Sequence, residues 1–250
     1  MEEIISSVKN ELVVKTKKIR DDFDGKLFLD NPKTILEAYL SNLQIEYVLL
    51  DKSKKQEFYK TFQFLNKTKV ILVSSNVISF LSETKTPQGI VAVVKIEKEN
   101  SDYFGNCLVL ENLQDPGNLG TIIRSARGTN FRDIVLINCV SPYNQKVVRS
   151  TMGSLFFERF HFFKSTDEFL IFAKKMNLTL LVADMGGENL FKVSKPTKKF
   201  GIVIGNEGNG VSNLMLKNCE KLVSIPMKNN LESLNAGVAS AILMYYFDNI

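Results

Sequence analysis

The stretch IGNEGNGVS, Ile204 to Ser212, places three glycines between a strand pattern and a helix pattern. The run GIVI before it is typical of a buried strand, and VSNLMLKN after it is typical of a helix. Such turns often bind phosphate through backbone N–H groups. Here Gly205 and Gly210 have the GxxxxG spacing of a P-loop, but Val211 follows where that motif has Lys and Ser/Thr. The three glycines do not have the GxGxxG spacing, and Glu207 would repel an anion. The stretch therefore predicts a ligand loop that is poorly suited to phosphate.

Strand and helix patterns alternate around this loop. The strand candidates are apolar enough to be buried on both faces: CLVLE, DIVLIN, LTLLVA, FGIVIG and KLVSIP. One helix candidate between them starts at Ser165, with Glu168 at the spacing of a capping box. Strands separated by helices indicate parallel crossovers and a doubly wound sheet. Ligands of such sheets bind at the carboxyl ends of the strands, so the loops that follow the strands deserve most weight.

The first part of the chain reads as a separate, small α/β unit. Its strand candidates are KLFLD, IEYVLL, KVILVS and GIVAVVK, and its helix candidates are PKTILEAYLSNL, KQEFYKTFQFLN and NVISFLS. The polar stretch IEKENSDYFGN, Ile96 to Asn106, has no period and is the best linker candidate. We therefore predict a first domain over residues 1–97, a linker over 98–105 and a second domain over 106–250.

Composition excludes several classes of protein. With 44% hydrophobic and 24% charged residues among 250, the chain is typical of a soluble globular protein. The start, MEEIISSVKNELVVK, lacks a continuous apolar core, so we expect no signal peptide, no membrane partner and a cytoplasmic location. The single histidine, His161, and three cysteines without a CxxC pair argue against a metal site and against a disulfide framework.

The net charge of +5 is consistent with a polyanionic partner such as RNA, and equally with a solubilising surface. Four basic residues crowd one early helical segment: Lys15, Lys17, Lys18 and Arg20. Such a cluster is either an RNA-binding surface or an ordinary solvated helix face. Composition alone leaves both interpretations open.

Two further loops carry unusual residues. ENLQDPGNLGTIIRSA, Glu111 to Ala126, joins a strand to a helix, and its proline and glycines predict a shaped turn rather than a continuous helix. Arg124 follows about one turn into the helix and could fold back toward Asn118. In IPMKNNLESLNAGVASAILMYYF, Ser233 and Asn235 precede a long apolar helix, where either is an ordinary N-cap. Each loop by itself is weak evidence for a function.

Their order is specific. DPGNLGTIIRSA, IVIGNEGNGVS and IPMKNNLESLNAGVASAILMYY resemble, in sequence order, the three motifs of the SpoU (TrmH-type) branch of the SPOUT RNA methyltransferases. KVVRSTMGSLFF and TKTPQGIVAVVK also resemble family segments, so the resemblance covers most of the chain. The departures are Asp30-Asn31-Pro32, where the family often has Glu-Gly, and Arg127, where it has an acid.

The resemblance implies transfer of a methyl group from S-adenosyl-L-methionine to a ribose 2′-hydroxyl of RNA, with no metal. That cofactor has no phosphate and carries a cationic sulfonium, so Glu207 would repel nothing. The implied cofactor contacts are Ala183, Asp184, Met185, Gly205, Asn206, Ile225, Met227, Ser233 and Leu234. The implied catalytic residues are Arg124, Asn118, Glu207, Ser233 and Asn235. Arg124 would orient the hydroxyl, Asn118 and Asn235 would hold the loop and Arg124, and Glu207 would orient an arginine across the site.

The resemblance also implies an architecture. A C-terminal SPOUT domain with a parallel sheet and a trefoil knot would follow a small α/β, ribosomal-protein-like RNA-binding domain, and the protein would be a homodimer through its C-terminal domain. Lys15, Lys17, Lys18 and Arg20 would then contact RNA phosphates. The two-domain layout favours rRNA, 23S rRNA above all. Alternatives that stay open are a tRNA 2′-O-methyltransferase and a silent RNA-binding protein of the same fold. An ordinary Rossmann enzyme is disfavoured, because the N-terminal part lacks the glycine turn and later acid of that fold.

Overall fold

The structure, a computed structural model, describes residues 3–96, 104–229 and 231–249. Its contacts divide the chain into two compact units. The first consists of Met1–Lys98 and Tyr143–Phe156, and the second of Glu99–Pro142 and Phe157–Ile250.

The segment Tyr143–Phe156 belongs to the first unit, although it lies between two stretches of the second unit in the sequence. The predicted second domain, 106–250, contains Tyr143–Phe156, whose contacts belong to the first unit. Of the predicted linker 98–105, residues 98–103 lie outside the described residues, while Phe104 is buried. The predicted domain boundaries stay a prediction.

The helices of the described residues are, in chain order, α1 Glu11–Asp21, α2 Pro32–Leu40, α3 Lys55–Thr61, α4 Ser75–Leu81, α5 Pro116–Ala126, α6 Gln145–Thr151, α7 Thr166–Lys175, α8 Asn213–Lys217 and α9 Ala236–Asn249. The strands are β1 Lys26–Leu29, β2 Ile45–Asp51, β3 Val70–Val73, β4 Ile90–Lys95, β5 Cys107–Glu111, β6 Asp133–Ile137, β7 Arg159–Phe163, β8 Thr179–Asn189, β9 Phe200–Ile204 and β10 Lys221–Ser224.

The first unit contains a mixed four-stranded sheet in the order β1-β4-β2-β3. Strand β4 pairs antiparallel with β1 and β2, whereas β3 pairs parallel with β2. Helix α1 packs near β1 and α4 and buries Val13, Thr16 and Ile19, which recur every three residues and so share one face. The hydroxyl of Thr16 lies 2.9 Å from that of Tyr47, which satisfies both polar groups inside the core.

The second unit confirms the predicted parallel α/β sheet. Its six strands lie in the order β10-β8-β9-β5-β6-β7, and every neighbouring pair is parallel. Every residue of β5, β6 and β9 is buried, as their apolar runs predict. The sheet has one strand that the sequence analysis missed, β7, which lies at the edge. Its sequence RFHFF has no continuous aliphatic run, and none of its residues is fully buried.

Three helix predictions need correction. The pattern KQEFYKTFQFLN predicts one helix, but α3 ends at Thr61 and a 3₁₀ turn follows, which buries Phe64 and Leu65. The DPGN stretch is not a turn outside the helix, because Pro116 is the first residue of α5 and its fixed φ suits that position. Ser165 caps α7 as predicted, but the Glu168 carboxylate accepts from the backbone N–H of Lys164, not of Ser165.

In the part of the chain that the structure describes, no helix combines the length and the apolar character needed to cross a membrane.

Candidate cofactor cavity and active site

The glycine loop that follows β9 is closed on itself. The backbones of Asn206 and Gly210 exchange two hydrogen bonds of 3.0 and 2.9 Å. The side-chain oxygen of Asn206 accepts from the N–H groups of Gly208 and Asn209, and its amide nitrogen donates to the Asn112 carbonyl at 3.0 Å. At Gly205 a Cβ would lie 2.3 Å from the Gly210 carbonyl, so no larger residue fits. The loop therefore has one defined shape.

A buried carboxylate anchors the far end of this loop. Glu111, the last residue of β5, has no exposed surface and accepts 2.7 Å hydrogen bonds from both the N–H and the hydroxyl of Ser212. The hydroxyl of Thr166 also donates to it. Ser212 in turn caps α8 by accepting from Met215. The sequence analysis did not select Glu111, although an acid that ends the apolar run CLVLE is a signal that could have found it.

A cavity of about 330 Å³ opens at the carboxyl ends of β9 and β10 and against the middle of β8. All the residues predicted to contact the cofactor line it: Ala183, Asp184, Met185, Gly205, Asn206, Ile225, Met227, Ser233 and Leu234. The other lining residues include Glu207 and several small or apolar side chains. Residues of β8, of the glycine loop and of the segment between β10 and α9 are thus brought together around one space.

The chemistry of this cavity suits a ligand without phosphate. Its charged lining groups are carboxylates, Asp184 and Glu207, and no lysine or arginine is among the described residues that line it. A phosphate in such a site would be repelled, whereas a cation with a neutral heterocycle would be compatible. The residues present therefore fit S-adenosylmethionine.

Beside the cavity, three predicted catalytic residues form one hydrogen-bonded chain. The Asn118 side chain donates to the Glu207 carboxylate, and Asn235 donates to the Asn118 oxygen at 2.7 Å. Asn235 also caps α9, because its oxygen accepts from the N–H of Gly237 at 2.9 Å. Asp115 fixes the start of α5 by accepting from the Asn118 N–H at 2.7 Å. The loops after β5 and β9 and the start of α9 are thereby tied together.

Two other predicted catalytic residues are placed outside this chain. Arg124 lies in the last turn of α5, exposed, and makes no hydrogen bond or ion pair to any described residue. The expected closing of Arg124 onto Asn118 is therefore not seen, since both belong to the same helix about two turns apart. Ser233 is exposed and lines the cavity. Glu207 accepts from Asn118 and, among the described residues, pairs with no arginine.

The predicted RNA-binding residues of α1 differ in their surroundings. Lys15 and Lys18 are exposed. The Lys17 ammonium lies 4.7 Å from the centre of the Phe80 ring. Arg20 donates to the Leu81 carbonyl at 2.7 Å and pairs with Asp21, so part of its role is structural.

The titratable groups of the second unit with shifted pKa values are not among the residues that line the cavity. Burial would raise the pKa of Asp133, but hydrogen bonds from Arg159 and His161 outweigh it and hold the pKa well below its usual range. Burial raises the pKa of Glu158 to about 7. The only histidine, His161, thus contacts the carboxylate of the Asp133–Arg159 ion pair between β6 and β7.

Among the described residues, no group of three or more His, Cys, Asp or Glu side chains is arranged to hold a metal ion.

Comparison with known proteins agrees with this geometry. The sequence model of the "SpoU rRNA Methylase family" matches residues 105–245, and that of "RNA 2'-O ribose methyltransferase substrate binding" matches residues 32–99. The 23S rRNA (guanosine(2553)-2'-O)-methyltransferase RlmP of Bacillus subtilis is 29% identical over 97% of this chain and 98% of its own length.

Solved structures share the fold. The AdoMet-bound rRNA methyltransferase of Sinorhizobium meliloti superposes with a TM-score of 0.82 at 21% identity and covers 98% of this chain and 97% of its own. The SpoU methyltransferase AviRb of Streptomyces viridochromogenes, in complex with AdoMet, superposes with a TM-score of 0.82 at 24% identity, over 96% of this chain and 97% of its own. Because the family model spans more than half of the chain, the protein belongs to the SpoU rRNA methylase family.

Proposed function

We propose that the protein transfers a methyl group from S-adenosylmethionine to a ribose 2′-hydroxyl of RNA, with 23S rRNA as the substrate. Family membership and the 23S rRNA methyltransferase of similar length support the reaction and the substrate. The observation that carries the proposal is a cavity whose charged groups are carboxylates, so that it does not suit phosphate, next to the hydrogen-bonded side chains of Asn118, Glu207 and Asn235. Such an arrangement places a cofactor site beside a rigid set of polar groups.

The cofactor supplies, when bound, an electrophilic methyl group on a cationic sulfonium. The protein's own residues would hold it through the lining set defined above, with Gly205 offering main-chain groups and Asp184 and Glu207 complementing positive charge. Loop closure through Asn206 and the anchor at Glu111 keep those groups in place before binding. Preorganisation of this kind lowers the entropic cost of binding.

The ribose hydroxyl must be aligned with the methyl carbon, and its proton must leave as the bond forms. Arg124 is a cation without a partner among the described residues, and it would contact the hydroxyl and the adjacent phosphate. Its guanidinium stays charged at neutral pH, so its task is orientation and charge stabilisation. Asn118 and Asn235 would position the glycine loop, and Ser233 would lie against both ligands from the cavity wall.

RNA affinity would come in part from α1. Lys15 and Lys18 are exposed and available for phosphates, whereas Lys17 and Arg20 already have contacts within the protein. Phosphate contacts supply affinity and position without reading sequence. We expect Lys15 and Lys18 to contribute more of that affinity than Arg20.

The proposal includes the trefoil knot of the C-terminal unit, a homodimer and a cytoplasmic location. Support for the homodimer comes from α9, where Val238 and Tyr245 keep 46% and 48% of their surface exposed. Apolar side chains on one helix are candidates for burial in an isologous interface. Sedimentation equilibrium should give twice the mass of 28.3 kDa.

The reaction can be tested with radiolabelled S-adenosylmethionine and total RNA from a strain that lacks the gene. We expect label in 23S rRNA, located at a 2′-O-methylated nucleotide by mass spectrometry of nuclease fragments. Arg124→Ala should lower kcat by about two to four orders of magnitude, the usual range for loss of a group that acts on the transition state. Arg124→Lys keeps the charge but loses the planar fork of the guanidinium, so its kcat should lie between those of wild type and Arg124→Ala.

The controls separate binding from chemistry. Calorimetry should give the same cofactor affinity for wild type and Arg124→Ala, and the melting temperature should be unchanged because Arg124 has no partner in the described chain. Label in tRNA would replace the rRNA assignment by the tRNA alternative. Cofactor binding without label in any RNA would favour the silent RNA-binding protein.

A further inference from the structure

A second cavity lies next to the cofactor cavity, at the carboxyl ends of β5, β6 and β9. Its volume is about 410 Å³. Asn206, Gly210 and Val211 line both cavities, so the glycine loop forms a wall of each. A ligand in the second cavity would therefore be separated from the cofactor only by the glycine loop.

The lining of this second cavity is polar but uncharged. Five amide residues line it, Asn112, Gln114, Asn138, Asn206 and Asn209, and Ser212 adds a hydroxyl. The described residues that line it include no lysine or arginine, which an anion would require, and no carboxylate, which a metal ion would require. Amides offer donors and acceptors together, so this set matches a neutral ligand that has both.

The amides are held in place by one another. Gln114 donates to the Asn138 carbonyl at 2.7 Å, and the Asn138 side chain donates to the Asn112 side chain at 2.8 Å. Asn112 and Asn138 both have left-handed backbones, with φ of 57° and 50°, a conformation that asparagine tolerates better than most residues. Their placement after adjacent parallel strands is therefore built into the backbone.

Several polar atoms remain available after these contacts. The oxygens of Gln114 and Asn138, the amide nitrogen of Asn112 and the whole side-chain amide of Asn209 have no hydrogen-bond partner among the described residues. Gln114, Asn138 and Asn209 are also exposed. The cavity thus presents both donors and acceptors from a preorganised frame.

We propose that this cavity binds a nucleobase of the RNA, on a nucleotide that neighbours the one whose ribose is methylated. The inference rests on the proposed function and adds a specificity site to it. A nucleobase is uncharged and carries donors and acceptors along one edge, which Asn and Gln side chains read. The volume falls within the range of about 300–1,000 Å³ typical of small-ligand sites, and Val211 offers apolar surface to a ring. Because the glycine loop lines both cavities, the base and the methylated ribose would bind on either side of the same loop.

The test uses Gln114→Ala and Asn209→Ala, since neither side chain belongs to the cofactor cavity or to the Asn118 chain. With rRNA from a strain that lacks the gene, each variant should raise the KM for RNA about threefold to tenfold, the usual effect of one lost hydrogen bond. The affinity for S-adenosylmethionine, measured by calorimetry, should not change. Asn218→Ala is the matched control, because that exposed amide lies at the far end of α8 and lines neither cavity.

Filter binding of the same rRNA gives a readout that does not depend on turnover. Weaker binding by both variants, with Asn218→Ala equal to wild type, supports the site. Unchanged KM and unchanged RNA binding in Gln114→Ala and Asn209→Ala would overturn it, even if the wild type methylates RNA. If the wild type binds RNA but never methylates it, the proposed function fails, and the filter-binding comparison still decides whether the base site exists.

Discussion

Glu158 provides the sharpest test of the energetics of the second unit. Its side chain is 8% exposed, and neither carboxylate oxygen has a hydrogen-bond partner in the described part of the chain. Burial raises its pKa from 4.5 to about 7, and the nearby charges of Arg132, Arg127 and Arg159 offset only part of that rise. We therefore predict that Glu158→Gln, which keeps the shape and removes the charge, stabilises the protein at alkaline pH.

The sign follows from proton binding. Below pH 4.5 the carboxyl is protonated in both the folded and the unfolded chain, so it contributes no difference. Between 4.5 and about 7 the folded chain holds a proton that the unfolded chain has released, so stability falls as pH rises. Above pH 7 the full cost is present, about 3 kcal/mol at about 1.4 kcal/mol per pH unit.

Urea unfolding followed by circular dichroism would measure this cost, since the chain has no tryptophan. The free energy of unfolding of Glu158→Gln should exceed that of wild type by under about 1 kcal/mol at pH 5 and by about 3 kcal/mol at pH 8. Glu232→Gln is the matched control, because Glu232 is exposed and has no partner among the described residues. A gain that is the same at every pH, or a loss at pH 8, would refute the reasoning.

Two further predictions concern the glycine loop. Glu111→Gln replaces an acceptor of three hydrogen bonds by a group that must also donate. The substitution should lower the free energy of unfolding by about 1–3 kcal/mol and weaken cofactor binding. An unchanged cofactor affinity in calorimetry would show that the hydrogen bonds from Ser212 to Glu111 are not needed to hold the glycine loop. Gly205→Ala places a methyl group 2.3 Å from the Gly210 carbonyl and should abolish cofactor binding while the circular dichroism spectrum is kept. Gly208→Ala is its control, since a Cβ there meets only ordinary contacts at 3.5 Å, and equal losses in both variants would contradict the steric argument.

Much of the fold could be predicted because it depends on local patterns. The uniform apolar runs of β5, β6 and β9 predict strands buried on both faces of a parallel sheet, and the structure confirms them. The sequence analysis missed strand β7 because an edge strand does not need a continuous apolar run. Helix α3 ended early because burial of Phe64 outweighed the helical period, and burial depends on the rest of the unit.

The candidate site divides in the same way. The resemblance to a known family was enough to select residues that line the cofactor cavity. Most of them lie in the two motifs that follow β9 and β10, whereas Ala183, Asp184 and Met185 lie within β8. Glu111 was missed because its partners, Thr166 and Ser212, are 55 and 101 residues away. The amide-lined cavity was missed for the same reason, since its walls come from three different strand ends.

The sequence by itself determined the apolar strands of the parallel sheet, the turn at Gly205, and the family that its three motifs resemble. Only the tertiary structure decided that Asn118 meets Glu207 across 89 residues and Asn235 across 117, and that Arg124 is left without a partner among the described residues. The physical reason is that propensity and periodicity act over a few residues, whereas these contacts depend on the lateral order of six strands. That order is set by how the whole apolar surface is buried, and no short stretch of sequence encodes it.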